Sequence, residues 1–91
     1  MYKIFIFEDA HEHLRGFRKN DRQSYVKCFD LFLAIAQGPR NGIGKPERLK
    51  RHPDKEVYSR RVNKKDRVVY TIYEDKKEVD ITSFKGHYDD K

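Results

Sequence analysis
Three runs near the C-terminus leave this chain few folds to choose from. Residues 57–62, 67–73 and 78–84 are rich in β-branched and aromatic side chains and alternate in polarity, the pattern of half-buried strands. Residues 63–66 and 74–77 separate them as polar turns, far too short for a parallel crossover. The three strands are therefore expected to form an antiparallel meander. Strand parity then assigns faces. Val68, Tyr70 and Ile72 share one side with Tyr58 and Val62, while Arg67, Val69 and Thr71 share the other with Ser59 and Arg61.

The apolar side of such a sheet needs a cover, and the N-terminal half supplies it. Tyr25, Cys28, Phe29, Phe32, Ile35 and Ala36 recur at helical spacing, widened by Val26, Leu31 and Leu33. Gly38-Pro39 ends this helix, with Gly38 expected in a left-handed cap. Asp21 is its expected N-cap. A shorter helix precedes it, with Ala10, Leu14 and Phe17 as its stripe and Asp9/Glu12 as a capping box. The break at Asn20 suggests an antiparallel helical hairpin. Residues 2–7 read as a first strand, apolar on both faces, so both faces are expected to be covered, with a partner chain as one candidate cover. Residues 40–54 read as loop, and 85–91 as a polar tail. The expectation is one α+β domain over residues 1–91, ordered β-α-α-β-β-β. Its antiparallel-rich twisted sheet would carry both helices on one face.

Charge narrows the function. The chain carries a formal +6, yet residues 38–67 alone hold 11 Lys/Arg against 4 Asp/Glu. The basic excess is thus one contiguous patch, which favours a polyanion and above all nucleic acid. If the apolar strand faces meet the helices, Arg61 and Arg67 project together from the helix-free face, beside the 42–50 loop and the C-terminal end. Arg60 then reads as a bystander. The single cysteine, Cys28, falls in the helical stripe and reads as core; one cysteine also excludes an intrachain disulfide. His11, His13 and Cys28 make no metal-ligand spacing, and His52 reads as loop surface. Gly42-x-Gly44 lacks the ending of a nucleotide loop. Tyr70 reads as packing. No run approaches a bilayer span, the N-terminus lacks a signal-peptide core, and a cytoplasmic location without membrane association is expected.

Four blocks, GIGKPERLK, YSRRV, DRVVY and SFKGHY, stand in order across residues 42–88. Together they resemble the Txe/YoeB-type toxins of the RelE superfamily, ribosome-dependent mRNA endonucleases of toxin–antitoxin systems. The resemblance implies Glu47 as general base, Arg67 as the phosphate-binding arginine of the transition state and His87 as general acid. It implies Tyr88, Arg61 and Lys50 as substrate contacts. It further implies cleavage in the ribosomal A site with neither metal nor cofactor, neutralisation by an acidic YefM/Axe-like antitoxin, and common homodimers. Two departures stand out. Tyr58 occupies a position where the family usually has tryptophan, and Asp89-Asp90-Lys91 extend past the usual His-Tyr end.

The chemistry is coherent by itself. A ribose 2′-OH attacking its own 3′-phosphate needs a base, an acid and cations. Glu47 is a carboxylate among Lys45, Arg48, Lys50 and Arg51, available as a weak base. A histidine with an ordinary pKa of about 6.5 can give a proton near neutrality, and arginines offer planar forks to phosphate oxygens. Two other readings use the same residues: a non-catalytic protein of the same fold, such as the superfamily's gyrase-directed relatives, and a plain RNA-binding module. The Glu47/His87 pair, which a pure binder does not need, and the inward-facing Tyr58 and Tyr70 separate them from the first.

Overall fold
The computed structural model describes residues 1–84. Strand β1 (Lys3–Ile6) leads into helices α1 (Glu8–Asn20) and α2 (Arg22–Gln37), followed by β2 (Glu47–Arg48), β3 (Glu56–Arg61), β4 (Arg67–Tyr73) and β5 (Glu78–Ser83). The sheet order is β1-β5-β4-β3-β2, with β1 parallel to β5 and every other pair antiparallel. The meander is β3-β4-β5, as the short turns require. The two-residue β2 was not legible: proline and glycine around it speak for loop, and only pairing with β3 makes it a strand.

Both helices pack on one side of the sheet. Ala10, Leu14 and Phe17 of α1 and Cys28, Leu31 and Ile35 of α2 meet Val68, Tyr70, Ile72, Val79 and Ile81 in one core. The buried stripe of α2 is Ser24-Cys28-Leu31-Ile35, rotated from the expected one. Phe29, expected inside, is 46% exposed and lies edge-on between Tyr25 and Phe32. A helix apolar over most of its circumference does not reveal the centre of its buried face. Ile4 and Ile6 of β1 pack inward, whereas Phe5 and the following Phe7 stay about half exposed, so within one chain only one face is covered.

The helix ends mix agreement with correction. Asp21 caps α2, accepting from the Ser24 amide at 3.2 Å. Helix α1 starts one residue before Asp9, with Phe7 at the N-cap and no side-chain cap, so there is no capping box. Gly38 closes α2 in extended backbone at φ −164°, not left-handed; its amide still bonds the Ala34 carbonyl.

Candidate nucleic-acid interface
The helix-free face is built by register. Arg61 lies directly opposite Arg67, Ser59 opposite Val69, and Glu47 opposite Ser59. Parity therefore brings Glu47, Arg61 and Arg67 onto one face, away from the core formed by Tyr58, Val68 and Tyr70. Glu47 and Arg61 are exposed and Arg67 is half-buried. Like charges directly opposite in an antiparallel pair destabilise it, and no carboxylate ion pair relieves Arg61 or Arg67 among the described residues. Lys50 is exposed beside buried Leu49. His87 and Tyr88 lie outside the described residues, and so do Asp89, Asp90 and Lys91.

Three devices hold this face. The first fixes β2 at both ends. The Arg61 amide donates to the Gly44 carbonyl at 2.7 Å, and the Leu49 amide to the Val57 carbonyl at 2.8 Å. Leu49 seats in a small second cluster with Val57 and Val69 on the helix-free side. Gly44 permits the close approach: its φ is +84°, and a Cβ there would stand 2.8 Å from the Leu31 side chain.

The second device is Arg60, which sequence reasoning set aside. It is fully buried. Its Nε donates to the Tyr70 hydroxyl at 2.9 Å, Nη1 to the Ile43 carbonyl at 3.0 Å, and Nη2 to the Gly38 and Asn41 carbonyls, both at 2.7 Å. The Tyr70 hydroxyl in turn donates to the Pro39 carbonyl at 2.6 Å. Burial raises the Tyr70 pKa, partly offset by the neighbouring Arg60. One guanidinium thus satisfies the carbonyls of the chain that descends from α2 toward β2, where an unpaired buried carbonyl would be costly. Tyr58 stacks on Tyr70 with centroids 6.1 Å apart, filling the place where tryptophan is usual in the resembled family.

The third device is the β3–β4 turn. Asn63 Oδ1 accepts from the Lys65 and Asp66 amides at 2.9 and 2.7 Å, while its Nδ2 donates to Ser24 Oγ at 2.7 Å and to Asp66 Oδ2 at 3.0 Å. Ser24 in turn donates to Asp21 at 2.7 Å. The turn between Arg61 and Arg67 is thereby tied to the start of α2. Asparagine opening a polar turn was the available signal for its local half.

Other candidates resolve simply. Cys28 is buried, and burial with Asp66 and Asp21 nearby pushes its thiol up to about 12, so it is no nucleophile near neutrality. His13 Nδ1 accepts from the Phe84 amide at 3.1 Å, fixing where β5 ends. Among the described residues no group of three His, Cys, Asp or Glu could hold a metal ion, and no helix is long and apolar enough to cross a membrane.

Two helices on a mixed five-stranded sheet with a basic open face make an α+β domain suited to a polyanion. The family model described as YoeB-like toxin of bacterial type II toxin–antitoxin systems matches residues 6–88. Toxin YoeB of Synechocystis sp. is 40% identical over 78 residues, 86% of each chain. The structure of the YoeB dimer from Staphylococcus aureus superposes with a TM-score of 0.81 at 35% identity, covering 96% of this chain and 98% of that one. The YoeB–YefM heterotetramer from the same organism gives 0.79 at 35% identity, covering 97% and 99%. The chain belongs to the YoeB-like toxin family.

Proposed function
We propose that this toxin is a ribosome-dependent mRNA endonuclease that cuts in the A site by general acid–base chemistry without a metal. The observation that supports this most is the register that puts Glu47, Arg61 and Arg67 on one helix-free face, with the two arginines opposed and unrelieved by acids. In the reaction Glu47 takes the 2′-OH proton, the oxygen attacks the adjacent phosphorus, and Arg67 with Arg61 stabilises the added negative charge. His87 protonates the departing 5′-oxygen. The products are a 2′,3′-cyclic phosphate and a 5′-OH. Lys50 and Tyr88 contact the substrate.

Chain geometry is compatible with His87 reaching this face. Glu47, Ser59, Val69 and Ser83 pair successively across four strands. Three strand spacings separate Glu47 from Ser83, about 14 Å, and the four residues from Ser83 to His87 span up to about 14 Å. Relatives supply the partners by analogy. A S. aureus YoeB forms a complex with YefM and another structure shows a YoeB dimer; an antitoxin and a homodimer are proposed here on that basis, the antitoxin acidic to match the basic face, and a ribosomal target implies work in the cytoplasm.

The deciding experiment is cleavage of a defined mRNA on pre-assembled programmed ribosomes. Glu47→Ala and His87→Ala should each lower kcat by about 10²–10⁴, and Arg67→Ala by about 10²–10³. Chelator should leave single-turnover cutting on the pre-assembled complex unchanged. A 5′-phosphate product, or a folded wild type that does not cut, overturns the proposal and turns attention to a binding target such as gyrase.

A further inference from the structure
Arg15, Arg40 and Lys77 each pair with an acid. Lys27, Lys45, Arg61 and Lys64 make no ion pair among the described residues, and all four line one open hollow of about 310 Å³. This hollow lies between α2, the Gly44–Lys45 bend and the β3–β4 turn, with Val62 in its lining. It shares Arg61 with the helix-free face. Through Lys27, Val62 and Asn63 it continues into a second hollow of about 350 Å³, where Asp30 is the acid in the lining.

Lys45 adds an independent observation. Its φ is +52°, left-handed for a residue that is not glycine. Such a conformation is disfavoured for a side-chain-bearing residue; among the described residues other than glycine it recurs only at Lys77, in the β4–β5 turn, at φ +55°. At position 45 it sets a lysine on the rim of the hollow. Glycine or asparagine would take this backbone more readily, and neither would bring a charge.

We infer that this hollow is a second RNA-backbone site, a track that leads phosphates away from the helix-free face past Arg61 and along α2. It rests on the proposed function for its ligand class and adds a separate set of residues. Unpaired cations around an open trough suit a chain with a charge on every unit. Lys27 and Lys64 act here in binding alone, at a distance from the reacting atoms.

The test is binding of a fluorescein-labelled single-stranded oligoribonucleotide, titrated across salt concentrations, with Glu47→Ala in every protein so that cleavage does not intervene. Removing one phosphate contact lowers the slope of log K against log salt by about 0.7 for a single strand, so Lys27→Gln/Lys64→Gln should lower it by about 1.4. With Glu47 restored, the same pair should raise KM on programmed ribosomes and leave kcat unchanged. Lys45→Asn should match or exceed wild type in thermal midpoint while losing about 0.7 of slope. An unchanged slope in the double variant overturns the inference. So does a result in which a poly-glutamate peptide, and not RNA, loses affinity, since the hollow would then be a site for an acidic protein segment. Because the readout is binding, a toxin that fails to cleave would refute the proposed reaction and leave this measurement standing.

Discussion

At the scale of single residues, Arg60 and Arg61 show how much one step along a strand decides. Both are arginines in one dipeptide, yet Arg61 is exposed on the helix-free face and Arg60 is wholly buried. Alternation assigned their opposite faces correctly. It could not show that Arg60 would be buried, because the carbonyls that receive it come from the chain after α2, at Gly38, Asn41 and Ile43. A buried guanidinium held by backbone carbonyls leaves no charge partner in the sequence to look for. Replacing it by an apolar residue strands those carbonyls, so Arg60→Met should cost about 3 kcal/mol in urea unfolding. Tyr70→Phe removes one hydroxyl from the same group and should cost about 1 kcal/mol. If Arg60→Met proves neutral, water satisfies the loop and Arg60 is not its anchor.

At the scale of elements, what periodicity carries was legible and what pairing creates was not. The three meander strands, both helices, the Asp21 cap and the shared face of Arg61 and Arg67 all follow from local pattern. Strand β2 does not, since Glu47-Arg48 has no β character of its own and sits there because its neighbours are held: Gly44 by the Arg61 amide and Leu49 by Val57 and Val69. The candidate base, Glu47, was therefore placed by resemblance to a family, and its position across from Ser59 only by the fold. This makes Leu49 the residue on which β2 depends. Leu49→Ala should cost about 2–3 kcal/mol. It should also raise hydrogen exchange at the Leu49 and Arg61 amides ahead of the β4 and β5 amides, because the lost contacts are local. Uniform loss of protection over the whole sheet would show that the second cluster is part of the main core.

At the scale of the whole molecule, ion pairs tie distant elements together. Arg40 and Lys77 join a network of acids near the first residues of the chain. Glu74 accepts from Tyr2 and Arg40 and pairs with Lys77, and Arg40 also holds Glu56. This network joins the start of β1, the chain after α2, the start of β3 and the β4–β5 turn, elements that lie far apart in sequence. Lys77 first, then Tyr2 and Arg40, hold the Glu74 carboxyl down at about 2, against an ordinary 4.5. Arg40 likewise lowers Glu56. A carboxyl that is harder to protonate when folded stabilises the fold fully above its ordinary value. That contribution then disappears as pH falls through the lower, folded value. Stability should therefore decline between pH 4.5 and about 2. Glu74→Gln should flatten the curve in that window and leave its shape above about pH 6 unchanged. The network is exposed, so added salt should shrink the difference between the two proteins. Urea midpoints across this pH range, at low and high salt, read both effects. Parallel curves for wild type and Glu74→Gln would mean that Glu74 does not act through its charge. The network would then be a set of surface contacts without weight in closing the sheet.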